Sequence, residues 1–328
     1  MNSKALFLEV VHPDSVMSDY LALIALEQPE EGLIHELSLL HPHGKYKVGI
    51  IERFLSDASE SLIKKAQKSN IPLIFLQPQP PTFSKVTKGR TSFSVNLISP
   101  GSSHDADLAA LFIAHPKTTD FSWIGYQTYL TPPGNLNQLQ ERYFSPLRLG
   151  SLRENHIAAE PLIRHNSLNF IDLTSLRHSD APDGLGSNPN GLYAEELCQL
   201  ARYIGVSSNL DACFIWGYPK GGKSSPFTTR LLAQMLWHLF ESLSTGQNED
   251  PYCPKQQMLF TPKEVYIGSQ NHILYFLYSV QTERWWIKLF LENGVFHFIP
   301  CTYEEYAAAL RGELPATWLR YYQKLNLL

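Results

Sequence analysis

The chain has 328 residues, 44 % hydrophobic and 18 % charged, with a formal net charge of −4, which is ordinary globular composition and enough for one large α/β domain or two smaller ones. The near-neutral balance gives no electrostatic ground for nucleic acid or an anionic membrane as a partner. Cys198, Cys213, Cys253 and Cys301 form no C-x-x-C pair, Pro13, Asp14 and Asp19 interrupt the N-terminal stretch, and no apolar run approaches the roughly 20 residues of a membrane helix, so the expectation is a cytoplasmic protein without a disulfide framework or structural zinc.

Residues 1–45 are weakly patterned, with one short apolar segment from Tyr20 to Leu26. From residue 46 an alternation sets in. Strands are predicted at 46–51, 71–76, 93–98, 121–125, 168–173 and 212–216, with helices at 57–67, 106–114, 136–144, 154–163, 193–204 and 227–243. Short continuous apolar strands alternating with helices predict an α/β fold, a three-layer αβα with a mostly parallel sheet. After Gly246 the pattern breaks. Aromatic-rich runs at 273–280 and 285–291 and helices at 304–311 and 318–324 predict a C-terminal β-hairpin/helix extension. The organisation expected is an N-terminal segment 1–45, a main domain 46–246 and an extension 247–328 packed on it. Its Trp and Tyr content reads either as an anchor to the main domain or as a surface for a protein partner.

The most informative stretch follows the strand at 168–173. That strand ends in Asp172, a polar loop follows, and a helix opens near Leu192; Ala181-Pro182 and Pro189-Asn190-Gly191-Leu192 punctuate the loop. This resembles the arginase/agmatinase/formimidoylglutamase (ureohydrolase) superfamily, whose strand end reads S-x-D-x-D-x-x-D-P, then A-P, then P-x-G-L and a helix. The likeness runs over roughly 46–245 and is nearest to a divergent bacterial arginase-like branch. It implies an arginase-like fold and, in active members, two cations that acidify a bridging water for attack on a guanidinium carbon.

Set on that pattern, the ligands are missing. Asp172 takes the place of the first carboxylate, Thr174 that of the second, and Arg177 and His178 replace the D-P pair. The G-G-D-H stretch corresponds to Gln77-Pro-Gln-Pro80, and D-A-H-x-D to Ser99-Pro-Gly-Ser-Ser103. The last ligand, a glutamate, corresponds to Trp216 or Gly217. One carboxylate beside an arginine cannot hold two hard cations, which need several oxygen donors at once. The sequence therefore predicts a pseudoenzyme with no metal cofactor, a vestigial cleft of Asp172, Thr174, Arg177, His178, Asp180 and Trp216, and a protein partner or homo-oligomer. The rival reading is a hydrolase of a guanidino or formimino C–N bond using unrecognised ligands.

Other motifs compete. Gly217 to Ser224 matches G-x-x-x-x-G-K-[ST] between a strand and a helix, so Gly217, Gly222, Lys223 and Ser224 form a candidate anion or nucleotide site. Ser225-Pro226 reads as a helix start of its own. His104-Asp-Ala-Asp107 opens a helix and reads as a cap. His41 and His43 lack an acidic partner at useful spacing, and Cys213 lies inside an apolar strand. Asp172, Asp180 and Asp183 are close enough in sequence to share one weak cation, or to hold the loop by hydrogen bonds.

Overall fold

The computed structural model describes residues 7–12, 17–54, 57–101, 107–164, 166–183, 188–219, 225–246, 249–268, 272–291 and 294–326. Short apolar runs become its central strands. β2 (Ala22–Leu26), β4 (Leu73–Leu76) and β8 (Leu168–Asp172) are buried along their whole length, as strands covered on both faces must be. Among the described residues, nine strands form one sheet. Its order is β1 (Leu8–Val10), β3 (Val48–Glu52), β2, β4, β9 (Ala212–Trp216), β8, β5 (Phe93–Ile98), β6 (Thr118–Tyr126), β7 (Ser145–Arg148). Every neighbouring pair is parallel.

Successive side chains alternate between two cores. Ile24, Ile74, Ile171 and Ile215 point to one, closed by Leu33 of α1 (Glu31–Ser38), Leu197 of α8 (Ala194–Gly205) and Leu236 of α9 (Pro226–Ser244). Leu23, Phe75, Phe170 and Trp123 point to the other. Ala66 of α2 (Asp57–Lys68), Val86 of α3 (Phe83–Thr87), Phe112 of α4 (Leu108–Ala114) and Leu139 of α5 (Pro133–Glu141) lie over that side. The αβα layering expected from the alternation is present.

Three features differ from the sequence reading. The apolar segment near Tyr20 is β2, hydrogen-bonded between β3 and β4 well inside the sheet. The helix expected at 154–163 is two short ones, α6 (Leu149–Glu154) and α7 (Ala159–Ile163). Asn155 breaks it by accepting from the Ile157 amide at 3.1 Å and capping a separate turn. The C-terminal hairpin is a four-stranded antiparallel sheet, β10 (Phe260–Ile267), β11 (His272–Ser279), β12 (Trp285–Phe290) and β13 (Phe296–Cys301). The two strands absent from the sequence reading are its edges and carry Pro262 and Pro300, where a missing amide donor is tolerated.

One face of this small sheet closes a core of Leu274, Phe276, Ile287 and Ala309 beneath α10 (Tyr303–Leu310) and α11 (Ala316–Asn326). Two charge clusters join it to the main sheet. Arg164, 3 % exposed, donates from Nε and Nη2 to Glu160 at 2.9 and 2.6 Å and from Nη1 to the Trp285 carbonyl at 3.0 Å. Its guanidinium lies 4.4 Å from the centroid of the fully buried Trp286 ring. Arg284 shares Glu160 at 3.2 Å. On α11, Lys324 donates to Asp120 of β6 at 3.0 Å, and the Tyr321 hydroxyl donates to the same carboxylate. Among the described residues no helix is long and apolar enough to cross a membrane.

Candidate functional site

The chain runs from β4 to β5 by skipping the two positions later filled by β9 and β8. In open α/β sheets the crevice at such a switch point, beyond the strand C-termini, is where ligands bind. Four adjacent strands end here, and they are the four that the sequence resemblance marks as metal-bearing. β4 leads into Gln77, β9 ends in Trp216, β8 ends in Asp172 and β5 leads into Ser99.

Each of these side chains is occupied by its neighbours. Asp172, 5 % exposed, accepts from the Thr174 amide at 2.9 Å and caps the turn Leu173–Ser175. Burial pushes its carboxyl up to about 6, against hydrogen bonds from Thr174 and the Trp216 side chain. Gln77 donates to the Gln79 carbonyl at 2.8 Å. Ser99 accepts from the Trp123 indole at 2.9 Å and donates to the Gly101 carbonyl at 3.3 Å. Gly217 turns the chain away with φ +87°, and its amide donates to the Pro78 carbonyl at 3.3 Å.

The space left between Ser99, Asp107, Leu108, Asp172 and Trp216 is about 10 Å³, at the lower limit for a single water. Among the described residues no three His, Cys, Asp or Glu side chains are grouped so as to hold a metal ion. An amide, a hydroxyl, an indole and two carboxylates already engaged in hydrogen bonds, Asp172 with the Thr174 amide and Asp107 with the Ala110 amide and Asn135, are a poor donor set for two hard divalent cations. The described residues at these strand ends do not fit a dinuclear centre.

The loop after β8 spends its acids on backbone groups. Asp180 accepts from Arg177 Nε at 2.7 Å, from the Ser179 hydroxyl at 3.0 Å and from the Ala194 amide at 2.9 Å, at the first residue of α8. These contacts outweigh burial and hold its carboxyl low. Asp183 accepts from the Ser225 amide and from the Thr228 hydroxyl at 3.4 Å, at the start of α9. Its pKa is lowered chiefly by Ser225. Asp172, Asp180 and Asp183 thus serve three separate turns and helix starts. Thr174 accepts from Asn188 Nδ2 at 3.3 Å through its carbonyl, and the exposed His178 donates its amide to the Asn188 carbonyl at 2.8 Å.

Sequence reasoning did not find Tyr193, whose ring centroid lies 4.2 Å from the guanidinium carbons of both Arg153 and Arg177. Arg153 also bonds the Gly191 carbonyl at 2.5 Å and Glu196 at 3.1 Å, so both arginines hold the helix start rather than face a cleft. Of the glycine-rich motif, Gly217 is described, whereas Gly222, Lys223 and Ser224 lie outside the described residues, as do His104 and Asp105. Asp107 is described and does cap α4, accepting from the Ala110 amide at 2.9 Å.

A second candidate surface lies on the outer face of the C-terminal sheet. Lys288 of β12 sits 4.1, 4.9 and 5.7 Å from the ring centroids of Phe296, Phe290 and Phe298. Tyr252 stacks on Phe296 at 6.3 Å, and its hydroxyl oxygen accepts from the Phe298 amide at 2.8 Å. Phe290 and Tyr252 remain 46 % and 48 % exposed, so among the described residues this half of the face is an exposed aromatic patch.

No family model and no curated protein matches the sequence. Solved structures match its fold. Trypanosoma cruzi formiminoglutamase with Mn2+2 at pH 8.5 superposes with a TM-score of 0.58 at 12 % identity, over 74 % of this chain and 97 % of that one. Formimidoylglutamase from Bacillus subtilis gives 0.58 at 12 % identity, over 74 % and 92 %. The agmatine ureohydrolase of Thermoplasma volcanium gives 0.54 at 12 % identity, over 72 % and 94 %. At such identities the likeness is one of fold, and the fold is that of the arginase superfamily.

Proposed function

We propose that this arginase-fold chain is a pseudoenzyme, a non-catalytic binding or scaffolding protein for a protein partner or a second copy of itself. The observation that carries this reading is the end of β9, where Trp216 fills the strand-end crevice against Asp172. An activated water requires cations, and cations require oxygen donors. Here the corresponding positions are Gln77, Ser99, Asp172 and Trp216, and the space beside Asp172 and Trp216 is about 10 Å³.

The contact surface assigned to the partner is the aromatic patch around Lys288. An apolar, ring-rich surface rimmed by charge is how proteins present binding sites to one another.

The test is turnover. The full chain, purified and supplied with manganese, is incubated with arginine, agmatine and formiminoglutamate, and urea, ammonia and formamide are measured. The expected result is no product above the protein-free control. Turnover of any of the three would overturn the proposal.

A further inference from the structure

The loop between β4 and β5 carries Pro78, Pro80 and Pro81 and builds only the five-residue α3. Proline removes amide donors and resists helix interiors, so this connection cannot lay a full helix across β4 and β9. Between α2 and α3 the sheet face is left open, and a cavity of about 850 Å³ sits on it. It lies on the flank of the sheet, away from the helices α8 and α9 that cover the other face.

Its floor has a defined polarity. Phe75, Phe214 and Phe170 are register partners on β4, β9 and β8. Their rings stack face to face, with centroids 4.7 Å apart at 7° and 5.1 Å apart at 10°. Rings stacked along the inter-strand direction turn their faces to one another and their edges away from the sheet. The edge of an aromatic ring is the positive end of its quadrupole. Phe54 meets Phe75 edge-on at 5.2 Å and 69° and extends the floor.

The rim carries Lys85, Lys88 and Arg90 against Glu27 and Asp211. Asp211 is bound to Arg90 at 2.7 Å, which leaves two lysines facing one glutamate. A positively polarised floor under a rim with surplus cations selects an electron-rich face and a negative group.

We propose that this cavity binds a flat aromatic anion, its ring lying across the Phe75 and Phe214 edges and its carboxylate, sulfonate or phosphate toward Lys85 and Lys88. The volume suits a ligand of two or three rings, since sites for small molecules span about 300–1,000 Å³.

The probe is 8-anilinonaphthalene-1-sulfonate, titrated by fluorescence into the folded full chain beside its uncharged relative N-phenyl-1-naphthylamine. One sulfonate probe per chain is expected. Lys85→Glu combined with Lys88→Glu changes solvent-facing residues and should weaken the anionic probe at least tenfold while leaving the neutral one within twofold. Gln67→Trp, which projects an indole from α2 into the cavity, should abolish both. Circular dichroism confirms that each variant is folded. Binding of the anionic probe that ignores the charge reversal overturns the anion assignment. Binding that ignores Gln67→Trp, or no stoichiometric binding at all, overturns the site.

Discussion

Trp216 and Asp172 are register partners at the C-terminal ends of β9 and β8, and both line the small space left at the switch point, where the indole helps to offset the effect of burial on the carboxyl. The Thr174 amide gives this buried acid its hydrogen bond, which matters because an unpaired carboxylate in a dry crevice is costly. The pair closes the switch point that an open sheet ordinarily leaves for ligands.

Removing the indole should therefore be expensive. Trp216→Ala leaves a void beside the buried carboxyl, and urea denaturation should register a loss of about 3–5 kcal/mol. Trp216→Glu restores only the residue type of one ligand. It should be destabilised as well and should show no manganese-dependent rise in melting temperature.

Asp172 sets a pH dependence. Its folded pKa, about 6, lies above the ordinary 3.8, so the folded state holds the proton more tightly. The stabilisation is complete below about pH 4 and is lost as pH rises through about 6. A shift of this size corresponds to roughly 2–3 kcal/mol. Relative to Asp172→Asn, the native chain should lose that amount of stability between about pH 4 and pH 8; parallel curves would remove the argument.

Asp183 tests how the loop after β8 is held. It accepts the Ser225 amide at the start of α9, a position where an anion would otherwise sit. Asp183→Ala should cost about 1–2 kcal/mol in urea denaturation, the usual range for losing a helix cap. A neutral result would mean the capping contact carries no weight.

The seam between the two sheets should be far more sensitive than surface ion pairs. Glu160→Ala leaves Arg164 and Arg284 buried together and should lower stability by about 3–5 kcal/mol. Glu313→Ala breaks a pair whose side chains are 62 % and 61 % exposed and should change nothing measurable. Equal effects in the two variants would contradict the anchoring role.

Much of the main sheet was legible because its strands are short apolar runs: Phe93–Ile98 and Ala212–Trp216 fall at the predicted residues. β2 was harder, since nothing around it alternates and its neighbours are 22 or more residues away in sequence. β10 and β13 were hidden by prolines that only edge strands accept. At the strand ends, the sequence could show that donors were missing. It could not show that Trp216 lies beside Asp172, which depends on the register of a parallel sheet, or that Asp183 reaches Ser225 across 42 residues.

The most direct measurement is calorimetric titration of manganese into the purified, chelator-treated full chain, with elemental analysis of the protein before treatment. The account predicts no stoichiometric metal and no saturable heat. Two manganese ions bound per chain at micromolar affinity would contradict it.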